Sequence, residues 1–179
     1  VPGDLNDEAF VDALARQAAE SFGTVDVVVL NHGLQASSPL TEMTCEAAKN
    51  VLDSNLLSAF LVMKHFAPLM PAAGGAFVCV SSRLGMVGKA GEVLYSAAKG
   101  GLIMLAKGAA IEWAPRNIRV NVVAPGLTAT PVIEASIRRR PDPVLPPRVR
   151  GLDPAPAARH PRGGGRRGPL PRFVRVVLH

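Results

Sequence analysis

The chain has 179 residues, 48% apolar and 19% charged, enough for one domain with a sizeable core and a squeeze for two. Two cysteines, Cys45 and Cys79, exclude a disulfide framework and make a reducing, cytoplasmic setting the expectation. The formal charge of +6 invites a nucleic-acid reading. A membrane span is excluded, because the apolar run Leu56 to Met63 is broken by Ser58 and followed by Lys64 and His65.

Along the chain, Asn6 is the expected N-cap of a first helix, with Asp7 and Glu8 suiting its positive end. Val11, Leu14, Ala15, Ala18 and Phe22 share one face of it, and Gly23 ends it. Val25 to Leu30 is an almost unbroken β-branched run, as expected for a parallel strand covered on both faces, and Asn31-His32-Gly33 follows as a loop. A long helical pattern runs from about Thr44 to Met70, closed by Pro71 and Gly74-Gly75. Ala76 to Ser81 is a second buried strand, Val93 to Trp113 a third helix, and Ile118 to Ala124 a third strand stopped by Pro125-Gly126.

This alternation predicts an α/β chain with a doubly wound parallel sheet. Ligands bind such sheets beyond the carboxyl ends of the strands, so one crevice collects the loops at Asn31-His32-Gly33, Ser81-Ser82 and Pro125-Gly126.

The charge is uneven. Residues 1–137 hold nine Lys or Arg against twelve Asp or Glu, a net of −3; residues 138–179 hold eleven Arg and two Asp, a net of +9. Nine prolines and five glycines also fall in that last stretch, which reads as a disordered basic tail starting at Arg138-Arg139-Arg140-Pro141. The domain is therefore expected over 1–137 and the tail over 138–179.

Four side chains could carry chemistry. Tyr95 and Lys99 lie four apart at the start of the third helix, on one face, and an ammonium beside a phenol is expected to lower the phenol's pKa. Ser82 ends a neighbouring strand, and Asn55 interrupts the apolar stripe of the long helix. A hydroxyl, a phenol, an ammonium and an amide suit proton exchange with an oxygen better than hydrolysis. His32 reads as a tolerated loop variant and His65 as helix surface. Cys45 and Cys79 lack the partners a metal would need.

Ser82 thirteen residues before Tyr95-Ser96-Ala97-Ala98-Lys99, with Asn55 forty before the tyrosine, resembles the catalytic tetrad of the short-chain dehydrogenase/reductase family. Leu30 to Gly33 resembles that family's Asn-Asn-Ala-Gly loop, Asn117 to Thr130 its sixth strand and Pro-Gly loop, and Asp4-Leu5 the acidic pair ending its third strand.

The resemblance implies a Rossmann-like fold and NAD(P)-dependent interconversion of an alcohol and a ketone or aldehyde. Tyr95 would exchange the proton and Lys99 would bind the nicotinamide ribose. Ser82 would hold the substrate oxygen, and Asn55 would keep a water leading to Lys99. Asn31 and Gly33 would lie along the NAD or NADP, Asp4 would meet the adenine, with Leu5 beside it, and Pro125, Gly126, Thr128 and Thr130 would contact the carboxamide and phosphate. The partner is a small alcohol or carbonyl compound, with self-association through helices 44–70 and 93–113.

The pattern is incomplete. The family's first two strands and its last strand have no counterpart, so Val25 to Leu30 is expected to be an apolar sheet edge. The Gly-rich phosphate turn has none either; Gly163 to Gly168 has the spacing but neither a strand before it nor a helix after it. A catalytically inactive truncated relative is the alternative, with the tail a frame-shifted ending. Nucleic-acid binding through the arginines is a third reading, non-specific and steeply salt-dependent.

Overall fold

The computed structural model describes residues 1–126 and the backbone of residues 173–176. Helix α1 (Glu8–Phe22) starts at Asp7, whose carboxylate accepts from the Ala9 N–H, so the cap lies one residue beyond Asn6. Gly23 closes it at φ 72°. Val11, Ala15 and Ala18 are buried, whereas Phe22, at the last position, is 48% exposed.

Strand β1 (Val27–Leu30) leads into the long helical region, which is three pieces rather than one: α2 (Cys45–Leu52), a π-helical turn over Asp53–Leu57, and α3 (Ser58–Phe66). The π-turn widens the helix around Asn55, a local irregularity that helices often carry at functional sites. Strand β2 (Gly75–Val80), helix α4 (Val93–Trp113) and strand β3 (Ile118–Val123) follow, with α4 at the bounds its periodicity predicts.

All pairings are parallel, and the sheet order is β3-β2-β1-β4. Crossovers through α2–α3 and through α4 return the chain to the same side, as parallel pairing requires. Leu5, Val11, Val28, Leu30, Val62, Phe66, Phe77 and Leu102 build one core from α1, the sheet, α3 and α4. Phe77 stacks at a tilt on Trp113, ring centres 5.4 Å apart.

One expectation is corrected. Strand β1 is not an open edge: strand β4 (Phe173–Val176) pairs with it in parallel, Val27 opposite Phe173 and Leu30 opposite Val176. A four-residue apolar strand with unpaired backbone groups is a template for any β-prone segment, and Phe173-Val174-Arg175-Val176 is the β-branched stretch of the tail. The rest of the tail and the boundary at 137/138 lie outside the described residues. Among the described residues, no helix is long and apolar enough to cross a membrane.

Candidate active site

The parallel arrangement puts the carboxyl ends of β1, β2 and β3 at one edge of the sheet. A cleft of about 260 Å³ opens there, lined by Asn31, His32, Gly33, Gln35, Val80, Ser81, Tyr95 and Lys99.

Lys99 is only 4% exposed. Its Nζ donates to the carbonyls of His32 (3.3 Å), two residues past the end of β1, and Val80 (3.1 Å), the last residue of β2, and lies 5.8 Å from the centre of the Tyr95 ring. Burial pushes its pKa down to about 8, partly offset by the Cys79 thiol nearby. The Ser81 hydroxyl donates to the Lys99 carbonyl (2.9 Å), which ties α4 to the end of β2.

Tyr95 is half-buried. Its pKa is raised, first by burial and then by the negative charge of Glu92, while hydrogen bonding with the Ser82 side chain pulls the other way. The expected lowering by Lys99 is therefore not what the resting site has. The ammonium's donated bonds go to two backbone carbonyls, and desolvation of the phenolate prevails. The Ser82 hydroxyl also accepts from the Leu84 N–H (3.2 Å), capping the 3-10 turn Arg83–Gly85.

Asn55 is buried in the π-turn. Its Nδ2 donates to Leu34 O (2.7 Å) and Val51 O (2.8 Å), and its Oδ1 is buried without a partner. Gly33, at φ +149°, sits against it: a Cβ there would lie 2.1 Å from Asn55 Oδ1 and 3.2 Å from Lys99 Nζ. Only glycine lets the loop approach both groups so closely.

Asn31 and Gly33 thus line the cleft with Tyr95 and Lys99, while Asn55 lies against Gly33 and Ser82 bonds the Tyr95 side chain. Pro125 is exposed and accepts from the Arg83 N–H (2.9 Å), and Gly126 is exposed beside it. Asp4 is exposed and accepts from Asn6 N (2.9 Å), while Leu5 is a fully buried core residue; neither lines the cleft. Thr128 and Thr130 lie outside the described residues.

The surroundings of three groups escaped sequence reasoning. His32 is buried; its Nε2 bonds Ser58 Oγ (2.8 Å), whose own proton goes to Ser54 O (3.0 Å), so Nε2 carries the ring hydrogen and the buried Nδ1 keeps a free lone pair. Burial and the charge of Lys99 lower its pKa to about 4. Glu92 and Gln35 pair with each other beside Tyr95. A polar Ser58 within the apolar stripe was the available signal for the first; nothing local signalled the other two. His65, expected at the surface, is instead mostly covered between Glu8 and Asp12 of α1. Among the described residues no group of His, Cys, Asp and Glu could hold a metal.

Comparison with known proteins bears on the family and the fold. The family model for short chain dehydrogenases matches residues 1–141. The chain is 45% identical over 132 residues to cis-4-hydroxycyclohexanecarboxylate dehydrogenase of Sinomonas cyclohexanicum, covering 73% of this chain and 53% of that protein. It is 39% identical over 133 residues to acetoacetyl-CoA reductase of an Acinetobacter strain, covering 74% and 54%. Among solved structures, a short chain dehydrogenase from Mycobacterium smegmatis superposes with a TM-score of 0.69 at 33% identity, covering 72% and 55%. ElxO with NADP bound superposes at 0.72 and 32%, covering 76% and 56%. The chain spans about half the length of these relatives. It belongs to the short chain dehydrogenase family.

Proposed function

We propose that the cleft at the strand ends is the reacting half of an NAD(P)-dependent oxidoreductase site, interconverting an alcohol and a ketone or aldehyde. The observation that carries this reading is the convergence of Tyr95, Lys99, Asn31 and Gly33 on one cleft, with Ser82 at the phenol. The residues present fit the nicotinamide end of the cofactor. Gly33 leaves the loop without a side chain beside Lys99, and the unpartnered Asn55 Oδ1 and His32 Nδ1 are acceptors waiting for hydroxyl or water donors. That relatives of this fold include one with NADP bound supports the same choice.

When bound, the cofactor gives or takes the hydride. Tyr95, held neutral by its surroundings, is the proton donor to a nascent alkoxide in the reductive direction and the acceptor in the other. Ser82 holds the substrate oxygen against the phenol. Lys99, anchored by two carbonyls, sets the positive potential that favours the anionic partner once charge develops there. Asn55 supplies the acceptor for a water leading toward Lys99. Exposed apolar side chains on the two expected faces, Phe60 on α3 and Met104 and Ile111 on α4, support self-association.

The test is turnover of a panel of secondary alcohols and ketones with NAD(H) and NADP(H), followed by nicotinamide absorbance. Activity that Tyr95→Phe abolishes bears the reading out; activity that persists unchanged in that variant refutes it.

A further inference from the structure

The loop after β1 runs back along the first turns of α4. A Cβ on Gly33 would lie 3.2 Å from Lys99 Nζ, Gln35 and Ser37 both bond Glu92, and Ser38 N donates to the Gly91 carbonyl (2.9 Å). Lys99 and Glu92 stand about 10 Å apart along the helix axis at 1.5 Å per residue, with Tyr95 one turn from each. The cleft therefore has an end on either side of the phenol. Lys99 and Gly33 form one, and Gln35 lines the other.

Gln35 is exposed, and an exposed glutamine ordinarily moves among many rotamers. This one is held. Its Nε2 donates 2.8 Å to Oε1 of Glu92, a side chain 5% exposed, and the Ser37 hydroxyl donates to the same oxygen. An oxygen that takes two donors is an acceptor whether or not the carboxyl carries a proton, so the NH2 end of the Gln35 amide is the end turned to the helix. The amide oxygen is left for the cleft.

We propose that Gln35, held in place by Glu92, is a specificity-determining residue whose amide oxygen takes a hydrogen bond from a second hydroxyl on the substrate. The cleft then selects neutral diols and hydroxyketones over simple alcohols and ketones, and at about 260 Å³ it keeps that second hydroxyl close to the reacting carbon. The proposal rests on the oxidoreductase reading, which gives the Lys99 end to the nicotinamide group and so leaves the Gln35 end to substrate. An acceptor fixed before binding spares the complex the cost of ordering it. A site built to bond a hydroxyl also rejects the analogue that lacks one, because its own polar group is then left unpaired. Among the described residues lining the cleft, Lys99 is the one cation and it is bonded to two carbonyls, so a carboxylate at the Gln35 end would find no cation of its own.

Tyr95 is the chain's single tyrosine, so its ring resonance in tyrosine-labelled protein reports on the cleft without turnover. The full chain is titrated with vicinal trans-cyclohexanediol, its monomethyl ether and cyclohexanol, with circular dichroism checking each variant's fold. The diol should bind about three- to tenfold more tightly than the other two, the worth of one neutral hydrogen bond. Gln35→Leu should close that gap. Glu92→Ala should narrow it, and Glu92→Gln, which keeps an acceptor oxygen for the Gln35 amide, should restore it. Equal binding of the three compounds by the parent overturns the proposal, as does a gap kept by folded Gln35→Leu protein or no Tyr95 response to the diol at its solubility limit. Gln35→Leu alters an exposed position and decides if Glu92→Ala does not fold. NADH and NADPH titrations run alongside: nucleotide binding without a diol preference removes this proposal and leaves the oxidoreductase reading, whereas loss of both removes both.

Discussion

Lys99 donates from its buried Nζ to the backbone carbonyl of His32, 67 residues earlier in the chain, and so joins the loop after β1 to the second turn of α4. The bond brings the Asn31–Gly33 loop and the helix that carries Tyr95 to one point. Burial, and after it the neighbouring Lys99 charge, lowers the pKa of His32, and burial lowers that of Lys99 as well.

Removing the phenol oxygen tests the proton-transfer role. Tyr95→Phe keeps the ring and its packing, so the fold should survive while turnover drops by roughly a hundredfold to ten-thousandfold, the span of a lost general acid. Steady-state rates on a substrate found in the alcohol panel, with thermal melts as the control, measure both.

His32 makes stability fall on the acid side. Its folded pKa is about 4 against an ordinary 6.5, so the unfolded chain binds the extra proton between those values. Its contribution is whole above about pH 6.5 and is lost as pH falls toward 4, about 3 kcal/mol in all. Urea unfolding at pH 7 and pH 4.5 should show a smaller acid loss in His32→Gln than in the parent. Equal losses would mean that the ring is not buried.

Gly33→Ala places a Cβ in contact with Asn55 Oδ1 at a backbone angle that L-residues avoid. The expected cost is about 1–3 kcal/mol of stability, together with weaker cofactor binding as Asn55 and Lys99 are pushed aside. Denaturant midpoints and a binding titration report the two effects separately.

The pairing of β4 with β1 can be read by proline scanning. Successive residues of a strand point their N–H groups to opposite sides, so of Val174→Pro and Arg175→Pro one removes a ladder bond and the other does not. One variant should lower the denaturant midpoint and raise light scattering from the uncovered β1 edge, and the other should do neither. Two silent variants would place Phe173–Val176 elsewhere.

These relationships mark where sequence reading stopped. Three parallel strands and α4 were legible because β-branched runs and a 3.6-residue period are local signals, and the Ser82, Tyr95, Lys99 and Asn55 spacing was legible because a motif is a local pattern too. The π-turn at Asn55 was not, since a one-residue widening leaves the apolar stripe nearly intact. Glu92 with Gln35, His32 with Ser58, and β4 with β1 join residues far apart in the chain, and only the folded backbone brings them together. The direction of the Tyr95 shift runs opposite to the expectation because burial of the phenol, which no local pattern in the sequence announces, raises its pKa.

The oxidoreductase site proposed for this cleft requires it to hold a nicotinamide group through Lys99. The direct measurement is a fluorescence titration of NADH and NADPH with the full chain and with Lys99→Met. It predicts weak but saturable binding by the parent to at least one of the two, lost in the variant while the circular dichroism spectrum is kept. Binding of equal strength by a folded Lys99→Met protein, or none by the parent with either nucleotide, would contradict it.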